Sequence, residues 1–171
     1  VGSGMSASGS EAFMWTQAGG MVGLGDLPGG AVSSNAAAAS ANGSVLVGSG
    51  TSVEGAQAVR WVNGAIQALG DLPGGAFSST AAAVSADGNV VVGTGTGAAG
   101  QRAFIWDPAA GMRDLGDYLT ALGVNMTGWR LDSATGISAD GSVIVGYGQS
   151  PSFSLTGFVV HVPRYCPSNC D

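Results

Sequence analysis

The chain has 171 residues, which suits one domain or an array of small repeats rather than several independent domains. Glycine contributes 31 residues without a three-residue period, so a collagen-like triple helix is excluded. The 11 acidic residues outnumber the 5 basic ones, and the net charge of −6 excludes the basic footprint of a nucleic-acid-binding protein. The 5 basic residues are all arginine, so Schiff-base chemistry on lysine is excluded as well.

Three motifs recur along the chain with a period of 45 or 46 residues, except that the last interval is about eight residues longer. Self-similarity at such a period is typical of repeat architectures, in which each repeat is one supersecondary unit. The copies are GDLPGG at 25–30 and 70–75; AFMW, AVRW, AFIW and the weaker GFVV at 12–15, 58–61, 103–106 and 157–160; and SANG, SADG and SADG at 40–43, 85–88 and 138–141.

One complete repeat predicts four short antiparallel strands. The first predicted strand consists of small residues, and the second is an apolar run that ends with a glycine. The third strand contains β-branched and aromatic residues. A four-stranded meander repeated about every 45 residues is typical of a β-propeller blade, with a parallel β-solenoid or a sandwich as the structural alternative. The predicted strands are 81–86, 89–93, 102–106 and 112–115, joined by the Asp87-Gly88 hairpin turn, a loop at 95–100 and a turn at 107–111.

The sequence therefore predicts an all-β, propeller-type array of about three and a half to four blades. The aligned Trp15, Trp61 and Trp106 are expected in the core between neighbouring sheets, where large aromatic rings bury the most area. The predicted boundaries are a partial blade at 1–31, blades at 32–76 and 77–117, an insertion at 118–131, a last blade at 132–163 and a tail at 164–171.

The insertion interrupts the repeat and carries its own signals. Asp117 to Gly123 predicts a short helical turn, with Asp117 as the N-cap and Gly123 as the C-terminal stop. Tyr118 and Trp129 lie in this segment, outside the in-register aromatic positions of the repeats. We identify these two residues as the candidate ligand or partner surface.

No catalytic site, metal site or cofactor is predicted, and the protein is not expected to be an enzyme. His161 is the single histidine and lies between two valines, which favours a structural role. Asp26, Asp71 and Asp117 recur at one repeat position, where turn carboxylates accept backbone N–H groups more often than they bind calcium. Asp114 and Asp117 resemble a catalytic carboxylate pair, but we interpret both residues as part of the solvated surface.

The two cysteines, Cys166 and Cys170, lie close together near the C-terminus. Their spacing allows a small local disulfide, although each could pair elsewhere. We predict the disulfide, which indicates an oxidising, extracytoplasmic setting. No run of about 20 apolar residues is present, so no membrane insertion is expected.

The motifs resemble those of the HAF-type extracellular repeat family of bacteria. The resemblance rests on the AFxW strand, the GMxxLG strand, the LPGG turn and the SADGxVVVG hairpin, and it extends from Val1 to about Pro163. Residues 128–160 look like the C-terminal part of such an array, and the tail looks like the start of a further module. The resemblance implies secretion and a propeller-like fold, and it implies no reaction.

We expect a secreted, non-catalytic repeat protein with a structural or adhesive role at the cell surface or in an extracellular assembly. An open arc of blades leaves edge strands that pair readily with other chains, so the expected partner is a second copy, in a homo-oligomer or a fibre. The candidate assembly edges are Val1, Gly2, Phe158, Val159 and Val160.

Two other functions remain open. A carbohydrate-binding module would be favoured by Trp129 or Tyr118 facing solvent beside a groove, with glycans as partners. A fragment of a larger propeller enzyme would be favoured by a pocket with convergent carboxylates. A nucleic-acid partner is not expected, because the chain is acidic.

Overall fold

The computed structural model describes residues 1–165, and strands dominate the regular structure of that range. The prediction of an all-β fold is confirmed. Within the described residues a single helix is present, α1 (Leu115–Ala121). The strands are β1 (Gly2–Ser6), β2 (Gly9–Thr16), β3 (Gly20–Gly23), β4 (Val32–Ser33), β5 (Asn35–Ala39), β6 (Val45–Ser52), β7 (Gly55–Val62), β8 (Ala65–Gly70), β9 (Gly74–Val84), β10 (Val91–Gly97), β11 (Gly100–Asp107), β12 (Gly111–Asp114), β13 (Arg130–Ile137), β14 (Val143–Gln149) and β15 (Leu155–His161).

Consecutive strands pair into four antiparallel meanders, which we call units I to IV. Unit I is β1–β3, unit II is β5–β8, unit III is β9–β12 and unit IV is β13–β15. Short parallel contacts connect neighbouring units, because β2 pairs with β4 through Gly9 and Val32, and β7 pairs with β9 through Ala56 and Ser78. The second contact joins units II and III into one eight-stranded sheet.

Glycine in the second strand of each unit allows a close backbone approach. Gly93 lies at a register shift between β10 and β9, where a Cβ atom would overlap the carbonyl oxygen of Thr80. Gly48 and Gly146 meet the preceding strand in the same way. The predicted loop at 95–100 is partly wrong, since β10 continues to Gly97 and pairs with strands on both sides.

The helix begins earlier than predicted. Asp114, rather than Asp117, is the N-cap of α1, and its side chain accepts hydrogen bonds from the backbone N–H groups of Gly116 and Asp117 at 2.7 and 3.1 Å. Leu115 and Leu119 lie four positions apart on one helical face and are both buried. This face anchors α1 on the core between units III and IV.

Each pair of neighbouring units encloses its own hydrophobic core. Successive residues of a strand point to opposite faces, so Val91 packs with Phe104 against unit II, whereas Val92 packs with Ile144 of unit IV. The core between units I and II contains Trp61 in the same way. Each fully buried valine or phenylalanine contributes about 1.5–3 kcal/mol, so these cores are the main force that joins the units.

A buried serine hydroxyl connects units I and II, and an equivalent one connects units II and III. The Oγ atom of Ser79 accepts a hydrogen bond from the Ala58 N–H at 3.0 Å and donates one to the Gly70 carbonyl at 2.8 Å. Ser34 repeats both bonds between the first two units. Each hydroxyl therefore satisfies two backbone groups at the junction of two units.

The hairpin turns of units II, III and IV form a hydrogen-bonded ladder. The N–H of Ala41 donates to the Ala86 carbonyl at 3.0 Å, and the N–H of Ala86 donates to the Ala139 carbonyl at 2.8 Å. These alanines are the second residues of the SANG and SADG motifs. The ladder therefore holds the three turns side by side.

Each turn is closed by its own polar side chains. Hydrogen bonds donated by the hydroxyls of Ser138 and Ser142 and by the Ser142 N–H hold the pKa of Asp140 well below its usual range. The guanidinium of Arg164 also donates to Asp140, at 2.9 Å. Asn42 takes the equivalent place in the first copy, so the turn depends on the accepting oxygen rather than on charge.

Candidate functional site

The outer side of unit I exposes apolar residues that the other units bury. Trp15 is 60% exposed, whereas the aligned Trp61 and Trp106 are 0% and 5% exposed. The expectation of a core position for Trp15 is therefore wrong. The reason is that each of the other two tryptophans packs against the preceding unit, and no unit covers that side of unit I within residues 1–165.

We call this surface the head face and define it by Phe13, Trp15 and Met21. Trp15 is directly paired with Met21 across β2 and β3, so both side chains lie on the same side of the sheet. In unit II the equivalent Trp61 packs on unit I, and its Nε1–H donates to the Leu24 carbonyl at 2.9 Å. The head face is thus the side by which a unit contacts its predecessor.

In unit IV the exposed face of the sheet is the one opposite to the face that forms the head face in unit I. We call it the tail face and define it by Val145, Tyr147 and Val159, all exposed. Val159 is 64% exposed, whereas Ile105 at the equivalent position of unit III is 4% exposed. Val92, which is equivalent to Val145, is buried against unit IV. The tail face is thus the side by which a unit contacts its successor.

The candidate assembly edges divide between surface and core. Val159 lies on the tail face, but Phe158 is buried and Val160 packs against the same core, because neighbouring strand residues point to opposite sides. Val1 is exposed, and Gly2 is paired with Phe13 across β1 and β2. Phe158, Val159 and Val160 all lie on β15, the outer strand of unit IV, so their role as an assembly edge stays a prediction.

A polar cleft of about 640 Å³ lies between α1, the segment after it and the first strand of unit IV. The Trp129 N–H donates to the Met126 carbonyl at 2.9 Å, and this turn brings the indole to the rim of the cleft, 43% exposed. Charged groups of four elements, β11, β12, α1 and β13, converge on the same space. They are Arg102, Asp114, Asp117 and Arg130.

The arginines of the cleft are paired with carboxylates. The Nε atom of Arg102 lies 3.7 Å from a carboxylate oxygen of Asp114. Arg130 makes a bidentate pair with Asp132, at 2.6 and 3.2 Å. Burial raises the pKa of Asp114, and the charge of Asp117 adds to the rise, against the backbone hydrogen bonds that the carboxylate accepts. Asp114 is half-buried, so its interpretation as solvated surface is corrected.

Tyr118 and Trp129 do not share a surface. Tyr118 is half-buried, with the Arg113 guanidinium 4.5 Å from its ring, and it lines a separate cleft of about 330 Å³. Asp107 also lines that cleft and forms an ion pair with Arg113. Of the two predicted aromatic residues, Trp129 is the one beside the polar cleft.

The remaining candidate residues have local roles. Asp26 accepts hydrogen bonds from the Thr51 N–H at 2.8 Å and the Ser33 N–H at 2.7 Å, and Asp71 accepts them from the Leu72 and Ser78 N–H groups. Asp117 lies within α1 and does not share that role. His161 ends β15 with an exposed side chain.

Two further expectations concern metal and disulfide chemistry. Within residues 1–165, no group of three His, Cys, Asp or Glu side chains is arranged to hold a metal ion. Cys166 and Cys170, the predicted disulfide, lie outside the described residues. In the same described range, no helix has the length and apolar character that crossing a bilayer requires.

Comparison with known proteins gives information on the fold. No family model matches the chain, and no curated protein matches it. Among solved structures, TolB from Acinetobacter baumannii, a β-propeller-containing protein, covers 95% of this chain with a TM-score of 0.59 and 11% identity. The fold is propeller-like. This chain spans 40% of the TolB chain, and at this identity the likeness concerns the fold alone.

No family model supports the resemblance to HAF-type repeats, so this resemblance stays a prediction. Sequence reasoning also missed Arg102 and Arg130 as residues of the cleft. Their convergence depends on the packing of unit IV against unit III, which leaves no local sequence signal. The available clue was that arginine is scarce, with 5 in the chain, and that one of them, Arg130, follows Trp129 directly within the insertion.

Proposed function

We propose that this chain is a secreted, non-catalytic repeat protein that associates end to end with further copies of itself in a structural or adhesive assembly. The observation that carries the proposal is the exposure of Trp15, at 60%, where the same repeat position is 0% and 5% exposed in units II and III. Exposed apolar patches of this kind mark protein contact sites. The low charge and the cysteines of the tail support an extracellular setting.

The head and tail faces are the same two sides of the repeat that meet wherever neighbouring units pack together. Every contact between neighbouring units joins the tail side of one unit to the head side of the next. A copy that places its head face on the tail face of another would reuse the same kinds of side chain in the same roles. This contact is heterologous, so it closes into a ring if the rotation permits and otherwise continues as a filament.

The finer propeller interpretation belongs to the same proposal. Units I to IV would be blades of about 45 residues each. Within residues 1–165, unit I lacks a partner strand equivalent to β5 or β9, and unit IV lacks one equivalent to β8 or β12. End-to-end contact would stack the faces of these two incomplete sheets, as neighbouring units are stacked within the chain.

Light scattering on the 171-residue chain tests the proposal directly. We expect a native mass that is a multiple of the chain mass and that rises with concentration. Trp15→Glu on the head face and Val159→Glu on the tail face should each abolish self-association. Val53→Glu is the matched control, because Val53 is an exposed valine of the β6–β7 turn, away from both faces, and should leave association unchanged.

Mixing the two interface variants gives the decisive result. Trp15→Glu retains an intact tail face and Val159→Glu retains an intact head face, so the mixture should form a dimer and nothing larger. Circular dichroism of each variant checks that it is folded. A wild-type chain that stays monomeric at every concentration, or a mixture that stays monomeric while the wild type assembles, would overturn the proposal.

A further inference from the structure

We infer that the cleft beside α1 binds carbohydrate, with an uncharged sugar ring stacked on Trp129. The inference concerns a different surface from the end-to-end contact and does not depend on it. With a volume of about 640 Å³, the cleft falls in the size range of small-molecule sites. It is also about twice as large as four other clefts among the described residues, which measure about 270–340 Å³.

Trp129 supplies the apolar platform. Its indole is 43% exposed, and its backbone is fixed by the hydrogen bond to Met126. The ring forms a ridge between the polar cleft and a smaller apolar one of about 340 Å³. The C–H groups on one side of a pyranose ring pack against such a flat, rigid surface, while the hydroxyl groups at the edge of the sugar reach the surrounding polar atoms.

The polar atoms of the cleft are both donors and acceptors. Asp117 has an exposed carboxylate that accepts no hydrogen bond within the described residues. Asn125 uses its side-chain oxygen to accept from the Thr127 N–H at 3.0 Å, which leaves its amide donors directed elsewhere. Arg130 engages Asp132 through Nε and one terminal nitrogen, so its other terminal nitrogen still donates. Hydroxyl groups both donate and accept, and this mixture suits them.

Charge decides between a sugar and an anion. Arg102 is paired with Asp114, and Arg130 is paired with Asp132, so neither guanidinium is an uncompensated positive charge. Asp117 adds a negative charge to the cleft. Phosphorylated or carboxylated ligands would meet net repulsion, and the favoured ligand is therefore neutral.

The same residues favour binding over hydrolysis. Glycoside hydrolysis uses two carboxyl groups, one as the acid and one as the base or nucleophile. Asp114 accepts two backbone hydrogen bonds as the helix cap and faces Arg102, so its oxygens are already engaged. Asp117 is then the one free carboxylate among the described residues that line the cleft.

Affinity electrophoresis tests the inference with named probes: glucomannan, xylan, laminarin and hydroxyethylcellulose as neutral polysaccharides, and alginate as an acidic one. We expect retardation by at least one neutral polysaccharide and none by alginate. Trp129→Ala should weaken binding at least tenfold, and Asp117→Asn should weaken it by a smaller factor. Val53→Ala is the matched control, because it truncates an exposed apolar side chain of the β6–β7 turn, away from the cleft and from the head and tail faces, and it should leave retardation unchanged.

Two readouts separate loss of the site from loss of structure. Trp129→Phe keeps a flat ring and should retain most of the binding, and the native mass of Trp129→Ala should equal that of the wild type. Retardation by alginate alone, no retardation by any of the neutral polysaccharides, or equal loss in Trp129→Ala and Val53→Ala would overturn the inference.

Discussion

Truncation of the same repeat residue in two units should have very different costs. Trp61 is 0% exposed and donates from Nε1 to the Leu24 carbonyl at 2.9 Å. Trp61→Ala removes a buried indole and leaves a cavity between units I and II, so we expect a loss of about 3–5 kcal/mol in the free energy of unfolding. That loss is a large part of the 5–15 kcal/mol typical of a domain.

Trp15→Ala is the comparison. Trp15 is 60% exposed, so the remaining two-fifths of its surface amount to about 100 Å², which at about 25 cal/mol per Å² corresponds to about 2.5 kcal/mol as an upper bound. We therefore expect a loss of about 1–2 kcal/mol in the monomeric chain. The difference between the two truncations should be at least about 1 kcal/mol.

The assay is equilibrium unfolding in urea, at a concentration where light scattering shows a single chain. Trp61→Phe serves as a milder variant in case Trp61→Ala does not fold. It keeps a ring but removes the Nε1–H donor, so it should cost about 1–3 kcal/mol. Equal losses for Trp15→Ala and Trp61→Ala would mean that position 15 is covered in the folded chain, and this result would refute the head face as an open surface.

Three further predictions concern the joints between and within units. Ser79→Ala removes the hydroxyl that satisfies two backbone groups and should cost about 2–4 kcal/mol, whereas the exposed neighbour Ser78→Ala should change stability by less than about 0.5 kcal/mol, both measured by urea unfolding. Gly93→Ala forces a Cβ atom into the Thr80 carbonyl oxygen and should cost about 2 kcal/mol or more, measured as a fall in the urea midpoint. The pKa of Asp140 is lowered in the folded state, so its contribution to stability is present above its unfolded pKa and is lost as the pH falls through the folded value. Asp140→Asn should therefore flatten the decline in thermal stability below about pH 4, and an unchanged decline would contradict this cause.

The repeat made the strands predictable, because the same pattern of turn, apolar strand and aromatic strand recurs and each copy supports the others. The wrong predictions concern residue types that occur in two kinds of local structure. Glycines at 95 and 97 resemble a loop in sequence, yet they lie in β10, where they pair on both sides. Asp117 aligns with the turn carboxylates Asp26 and Asp71, but the insertion makes Asp114 the cap instead.

The candidate surfaces were only partly predictable, for a different reason. Whether Trp15 is buried depends on whether another unit lies beside it, which no local pattern reports. The polar cleft joins Arg102 of unit III with Arg130 of unit IV, and this proximity depends on tertiary packing. Trp129 was predictable because an aromatic residue without a counterpart in the other repeats has no obvious core position to fill.

The ladder of alanines has a consequence for how such arrays diversify. About eight additional residues separate Ala86 from Ala139 compared with the preceding pair of turns, yet the two hydrogen bonds measure 3.0 and 2.8 Å. The extra length lies in α1 and the segment that carries Trp129, between the last strand of unit III and the first strand of unit IV. A new recognition loop can therefore be grafted between two units, by evolution or by design, while the alignment of the scaffold stays the same.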